Sequence, residues 1–405
     1  TATSARSESK MGDGDAAFAA ALHGKLRAQP GNLFYSPASV RIAMAMAAAG
    51  ARGATATELH QGLSLPPGDA AHAAIGRELA SWAAMANPPL PSASAPVDDP
   101  QMQKWQREEL EHKRVVLRVV NRLWAQAGHK FREELLKILR DDYRAPLGTV
   151  DFRHDAARVT INKWVADATE HKIKELLKTP IPSDTKLVIT NAVYFKAHWS
   201  DEFDASRTRE EPFYVAGGKQ AKVPMMRRTG YLHLARLDGA MMAELPYGEG
   251  RLVMDVVLPS ARDGLGHLED AYAGGALASW VAKLSTARVD VAMPRFRTSS
   301  SFELAAALGA MGMARAFKFP DADFSGIDGT HELYIGRVVH EAFVDVDEHG
   351  TEAAAATAIE MRAGAAMPTE PPVVFRADHP FLFLIRDTQT GAVLFAGRLA
   401  DPSAK

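Results

Sequence analysis

Cysteine is absent from all 405 residues, which excludes disulfides, a thiol nucleophile and any cysteine metal centre. No apolar run is long enough to span a bilayer, so no membrane partner is expected. An excess of one charge is lacking too. The 47 basic and 49 acidic residues leave a formal net charge of -2, and neither nucleic acid nor a lipid surface is implied by so even a balance. Enzyme signatures are missing as well: no G-x-S-x-G elbow, no phosphate-binding loop, no dinucleotide fingerprint and no H-E-x-x-H. His340-Glu341 opens like a zinc motif without the second histidine, and Gly217-Gly218-Lys219 lacks the rest of a phosphate loop. A Ser/His/Asp triad leaves no linear trace, but nothing points to one. The expectation is a protein that is not an enzyme and carries neither metal nor cofactor.

What is present is ordinary globular material, 47% hydrophobic and 24% charged, enough for a large core. Length alone suggests two or three domains. Thr1 to Asp13 reads as a flexible tail without the features of a signal peptide, and an extracellular or cell-surface protein with any such peptide removed is expected. Asp15 to Gln29 has helical spacing. Ser36-Pro37 pairs a capping hydroxyl with a residue that has no amide to satisfy, and opens a helix that is apolar on nearly all sides and ends at Gly50. Thr55 and Glu58 have the spacing of a capping box. Residues 87–113 look like an insertion: a Pro/Ser/Ala loop to Asp99, then a charged helix from Gln101 to Lys113.

Beyond this the sequence alternates more than it coils. Val115 to Ala125 reads as a strand and Lys130 to Leu139 as a helix. Strands follow at Leu187–Phe195, Leu232–Leu237, Met241–Pro246, Leu252–Leu258 and Val289–Pro294, with helical patterns at Leu265–Tyr272 and Phe302–Met311. Phe381–Ile385 and Ala392–Leu399 form a hairpin about Thr390-Gly391. There is no internal repeat, and the mixture is α+β. Between two strands lies Gly350 to Thr369, alanine-rich, without an apolar stripe, and broken at Pro368, Pro371 and Pro372. Its composition alone describes a flexible linker.

An ordered set of motifs changes that reading. They are Asn32-Leu33-Phe34-Tyr35-Ser36-Pro37-Ala38-Ser39; Thr190-Asn191-Ala192-Val193-Tyr194-Phe195-Lys196-Ala197-His198-Trp199 with Phe203; Val223-Pro224-Met225-Met226; Glu244-Leu245-Pro246-Tyr247; Pro294-Arg295-Phe296; Phe324-Ser325-Gly326-Ile327; His340-Glu341-Ala342; Asp347-Glu348-His349-Gly350-Thr351-Glu352-Ala353-Ala354; His379-Pro380-Phe381-Leu382-Phe383; and Leu394-Phe395-Ala396-Gly397-Arg398-Leu399. Any one is weak. Together, in order and over nearly the whole chain, they resemble the serpin family. The resemblance implies one domain over residues 1–405, with three β-sheets, about nine helices and an exposed reactive-centre loop at 350–372. It also implies a monomer whose partner is a serine- or cysteine-class protease, trapped when the cleaved loop enters the central sheet. Ser36, Ser39, Asn191 and His340 match the family's shutter, and Trp199 its breach. The alanine- and arginine-heavy composition fits a GC-rich, bacterial source.

The hinge matches at Glu348, Gly350, Thr351, Glu352, Ala353, Ala354, Ala355, Ala356 and Thr357. A strand entering a covered sheet needs small, uncharged, non-proline side chains on its inward face. Thr351, Ala353, Ala355 and Thr357 share one parity and comply, while Glu352 falls on the other. The family's spacing from the hinge glutamate places the reactive bond at Gly364-Ala365, suited to elastase- or subtilisin-like proteases. Ala363 is a rival, and so is Arg362, which would fit a trypsin-like pocket. The alternative that keeps the fold is a non-inhibitory chaperone or carrier, which a bulky or charged hinge would signal.

Overall fold

A computed structural model describes residues 2–66, 68, 70–87, 100–128, 130–215, 218–351 and 371–404, with side chains described from residue 14 onward and not at Pro100. Eleven α-helical segments occur among the described residues: α1 (Ala2–Leu26), α2 (Pro37–Gly50), α3 (Gly53–Gly62), α4 (Ala70–Ala84), α5 (Pro100–Lys113), α6 (Glu133–Asp141), α7 (Ala156–Ala168), α8 (Leu265–Ala273), α9 (Leu277–Val281), α10 (Ala305–Leu308) and α11 (Ser325–Asp328). The last two are single turns, which leaves nine of greater length. No described helix is long and apolar enough to cross a membrane.

The strands are β1 (Leu33–Tyr35), β2 (Val115–Gln126), β3 (Gly148–Val150), β4 (Leu187–His198), β5 (Arg209–Tyr214), β6 (Gln220–Leu237), β7 (Ala240–Tyr247), β8 (Leu252–Pro259), β9 (Ser285–Pro294), β10 (Phe296–Glu303), β11 (Ile335–Val346), β12 (Gly350–Thr351), β13 (Val373–Arg376), β14 (Phe381–Asp387) and β15 (Val393–Leu399). They form two hydrogen-bonded sets. The larger runs β1-β15-β14-β8-β7-β6-β9-β13 with β5 beside β6. It is subdivided at β6, whose first residues pair with β5 and whose last pair with β7, so two of the three expected sheets are joined through one long strand and the third is the smaller set. The smaller set runs β10-β11-β12-β4-β2-β3, with β11 also pairing directly with β4.

Helix α2 lies between this six-stranded sheet and β15. Its alanines and methionines allow close approach on every side, and it is buried along almost its full length. Ser36 caps it by accepting the Ser39 N–H at 3.2 Å. The one charged residue of α2, Arg41, is buried and satisfied by Asp15 of α1 and by the Leu63 carbonyl at 2.7 Å. The opposite face of the sheet carries Val120, Trp124, Val188, Ala192 and Val339, covered by Ile161 and Val165 of α7. Both faces are therefore buried.

Three local expectations change. The segment read as a tail is helical from Ala2, since no proline precedes Pro30 to stop the helix that Asp15 was read to begin. Thr55 and Glu58 form no capping box. Thr55 lies inside α3 and accepts the Asp323 N–H at 2.9 Å, and Glu58 accepts the Arg315 N–H at 3.0 Å, so tertiary donors have taken both side chains. Phe302 belongs to β10 instead of starting a helix, because Phe302 and Glu303 pair with His340 and Val339. Residues 88–99 lie outside the described residues, and α5 follows them as the charged helix expected.

Candidate functional site

The centre of the six-stranded sheet is a seam between parallel strands β4 and β11, paired from Leu187↔Ile335 to Val193↔Ala342. At its upper end the two strands part and β12 stands between them, with Thr351 opposite both Ala197 of β4 and Val346 of β11. The sheet thus carries a two-residue strand in a gap that is closed below.

The geometry of this opening is set by a tight turn. Asp347 Oδ1 accepts the His349 N–H at 2.9 Å and the Gly350 N–H at 3.2 Å, and the Asp347 N–H returns to the Gly350 carbonyl at 2.9 Å. Gly350 has φ 155°, and a Cβ there would sit 2.0 Å from the Ala197 carbonyl oxygen, so only glycine lets the chain enter beside β4. Glu348, 2% exposed, is held by Arg295 through three contacts of 2.6, 2.7 and 3.1 Å and by the Thr208 hydroxyl at 2.6 Å. Burial pushes its carboxyl up, but these hydrogen bonds outweigh burial and keep it below the ordinary glutamate range.

Beneath the turn, the Trp199 indole donates to the Asp347 carbonyl at 2.9 Å and stacks on Tyr247 with centroids 4.3 Å apart. The Tyr247 hydroxyl is hydrogen-bonded to the Thr351 hydroxyl at 2.7 Å. Thr351 is therefore directed inward.

Midway down the seam, register aligns Asn121 of β2, Asn191 of β4 and His340 of β11 in one row. The Ser36 N–H donates to His340 Nε2 at 3.0 Å, so the ring proton is on Nδ1, where it is given to Asn191 Oδ1. The Asn191 amide donates to Ser39 Oγ at 2.6 Å and to Asn121 Oδ1. Ser39 Oγ donates to Asn121 Oδ1 at 3.1 Å. Ser36 Oγ donates to the Leu394 carbonyl at 2.6 Å. Burial pushes the His340 imidazole down to about 3, against the opposing hydrogen bond of Asn191, so it is neutral near pH 7. This closed network ties β2, β4 and β11 to the first turn of α2.

Ser36, Ser39, Asn191 and His340 thus meet at one point, and Trp199 stands beside Gly350 and Thr351 at the other. Glu352, Ala353, Ala354, Ala355, Ala356, Thr357, Arg362, Ala363, Gly364 and Ala365 lie outside the described residues. Sequence reasoning missed Asn121, whose signal was an amide in the middle of an apolar strand. It also passed over Tyr247 and Arg295, which stood inside quoted motifs without a role.

A family model described as serpin (serine protease inhibitor) matches residues 13–402. The chain is 40% identical over 384 residues to an uncharacterized serpin-like protein of Thermococcus kodakarensis, covering 94% of this chain and 83% of that one. It is 35% identical over 384 residues to the human leukocyte elastase inhibitor, covering 92% and 93% respectively. Among solved structures, Serpin48 of Tenebrio molitor, described as a highly specific serpin, superposes with a TM-score of 0.82 at 28% identity, covering 97% of this chain and 98% of that one. With a family match across almost its full length and a two-residue strand poised at the end of a closed seam, this chain belongs to the serpin family.

Proposed function

We propose that this protein inhibits serine proteases as a suicide substrate, trapping the acyl-enzyme when its cleaved loop extends β12 down the seam. The observation that carries this reading is Thr351, already seated inward between β4 and β11. Continuing the register of Thr351 opposite Ala197 puts Ala353 opposite Phe195, Ala355 opposite Val193 and Thr357 opposite Asn191. All are small enough for the face packed on α2. Thr357 would arrive between Asn191 and His340, and its hydroxyl can take over the hydrogen bond that must break there. The strand reaches Leu187, the first residue of β4, at Met361. A bond at Gly364-Ala365, or earlier at Arg362 or Ala363, then leaves the attached protease at the far pole.

Each new strand hydrogen bond contributes about 0.5–1.5 kcal/mol net, and a dozen supply on the order of 10 kcal/mol. That gain is withheld from the intact chain because its loop is tethered at both ends. Small residues at 363–366 favour an elastase- or subtilisin-like target, and the partner is read as a protease alone.

Incubation with elastase-, subtilisin- and trypsin-like proteases, followed by denaturing electrophoresis and the mass of the released C-terminal peptide, tests the proposal. A denaturant-resistant complex supports it and the mass fixes the bond. Clean cleavage without a complex across the panel would favour a carrier or chaperone of the same fold.

A further inference from the structure

No metal is expected from the sequence, which has no cysteine and no H-E-x-x-H and lacks a second histidine after His340-Glu341. The fold nevertheless gathers three donors at the open end of the seam: His112 near the end of α5, His198 at the end of β4, and Glu202 four residues on. One ligand atom from each lies within 4.8 Å of the others. His198 Nδ1 is 3.2 Å and His112 Nδ1 3.7 Å from Glu202 Oε1. With metal–nitrogen bonds of about 2.0–2.1 Å, the edges of a tetrahedral ligand set run to roughly 3.3–3.5 Å, and the two measured edges bracket that. The other Glu202 oxygen, Oε2, is hydrogen-bonded to His349 Nδ1 at 2.7 Å, which orients the carboxylate as an outer partner orients a ligand.

We propose that His112, His198 and Glu202 bind a borderline-soft divalent cation, Zn²⁺ first among them, and that its occupation braces the hinge end of the seam. Two imidazoles and one carboxylate select zinc-like ions over Mg²⁺ or Ca²⁺, which take oxygen ligands. Bracing follows from where the ligands sit. His198 pairs with Gly350 across β4 and β12, and His349, which holds the carboxylate, lies between Glu348 and Gly350. An ion there fastens α5 to the top of β4 and to the hinge turn. The bracing rests on the loop-insertion reading; the metal site does not.

The metal-free full-length protein titrated with Co²⁺ should bind one equivalent, with the intense visible bands of a tetrahedral N/O site. Zn²⁺ should displace the cobalt and raise the unfolding temperature, and Mg²⁺ should do neither. His112→Ala, a change on a partly exposed helix, should weaken Co²⁺ binding about tenfold or more and shrink the rise in unfolding temperature that Zn²⁺ produces. Glu202→Gln should weaken it comparably. Absence of a bound equivalent, or binding unchanged in His112→Ala, would overturn the site. If the site binds but Zn²⁺ leaves the rate of loop insertion after cleavage unchanged, the bracing is refuted and the site stands.

Discussion

The hydroxyls of Tyr247 and Thr351 lie 2.7 Å apart at the top of the seam, in a pocket roofed by the Trp199 ring. Thr351 is 1% exposed, so any side chain at this position that enters the sheet must be buried with it. Thr351→Arg would force a guanidinium into that pocket at a cost of several kcal/mol. Insertion should then slow until hydrolysis of the acyl-enzyme wins, turning an inhibitor into a substrate. Titration of a susceptible protease should show the variant cleaved without residual inhibition. A denaturant-resistant complex at normal stoichiometry would refute the inward role of Thr351.

Gly350 makes the same point through the backbone. A methyl group at this position meets the Ala197 carbonyl oxygen at 2.0 Å and His198 Cα at 2.8 Å, atoms that cannot swing aside. Gly350→Ala should expel β12 from the gap. Amide exchange at Thr351 should accelerate, and complex formation should fall relative to cleavage. Unchanged exchange would show that the strand tolerates the substitution.

The His340 row should govern the lower seam. His340→Ala leaves the Ser36 N–H and Asn191 Oδ1 buried without partners, a loss of about 2–4 kcal/mol at typical penalties, to be read as a lower denaturant midpoint. The pH dependence has a definite sign. Burial lowers His340 from about 6.5 in the unfolded chain to about 3 in the folded one, so the unfolded state binds the proton first. The stability it confers is complete above pH 6.5 and drains away as pH falls toward 3. Stability measured between pH 7 and 4 should fall more steeply in the parent than in His340→Gln. Parallel curves would mean that this imidazole does not titrate on unfolding.

Arg295 holds the hinge glutamate from a half-exposed position. Arg295→Ala leaves the buried Glu348 carboxylate with the Thr208 hydroxyl as its remaining side-chain partner. The loss should be about 1–3 kcal/mol, reduced by the solvent exposure of the arginine. Because Glu348 is held below its ordinary range, its contribution is present above that range and lost as pH falls from it through the depressed native value. The difference in unfolding temperature between parent and variant should therefore shrink in acid. A difference that persists at low pH would assign it to packing instead.

Which of these residues the sequence displayed follows from how far each signal reaches. Ser36, Ser39, Asn191 and His340 sit in motifs, and Thr351 could be judged by the size rule for an entering strand. Asn121 could not be placed, since its role depends on its alignment with Asn191 across β2 and β4, and register is a tertiary property. The Thr55/Glu58 spacing misled for a related reason: Asp323 and Arg315, more than 250 residues away, claim both side chains. The metal candidate was hidden in the same way, with His112 on a helix that only the fold brings to the end of β4. The order of strands and helices was plain because alternation and helical spacing are local.

Inhibition of this kind requires the loop to become a strand between β4 and β11, and the most direct measurement is the unfolding temperature before and after a single cleavage within residues 352–370. Insertion worth on the order of 10 kcal/mol should raise it by roughly 10–20 °C. An unfolding temperature that stays the same or falls after cleavage would contradict the account.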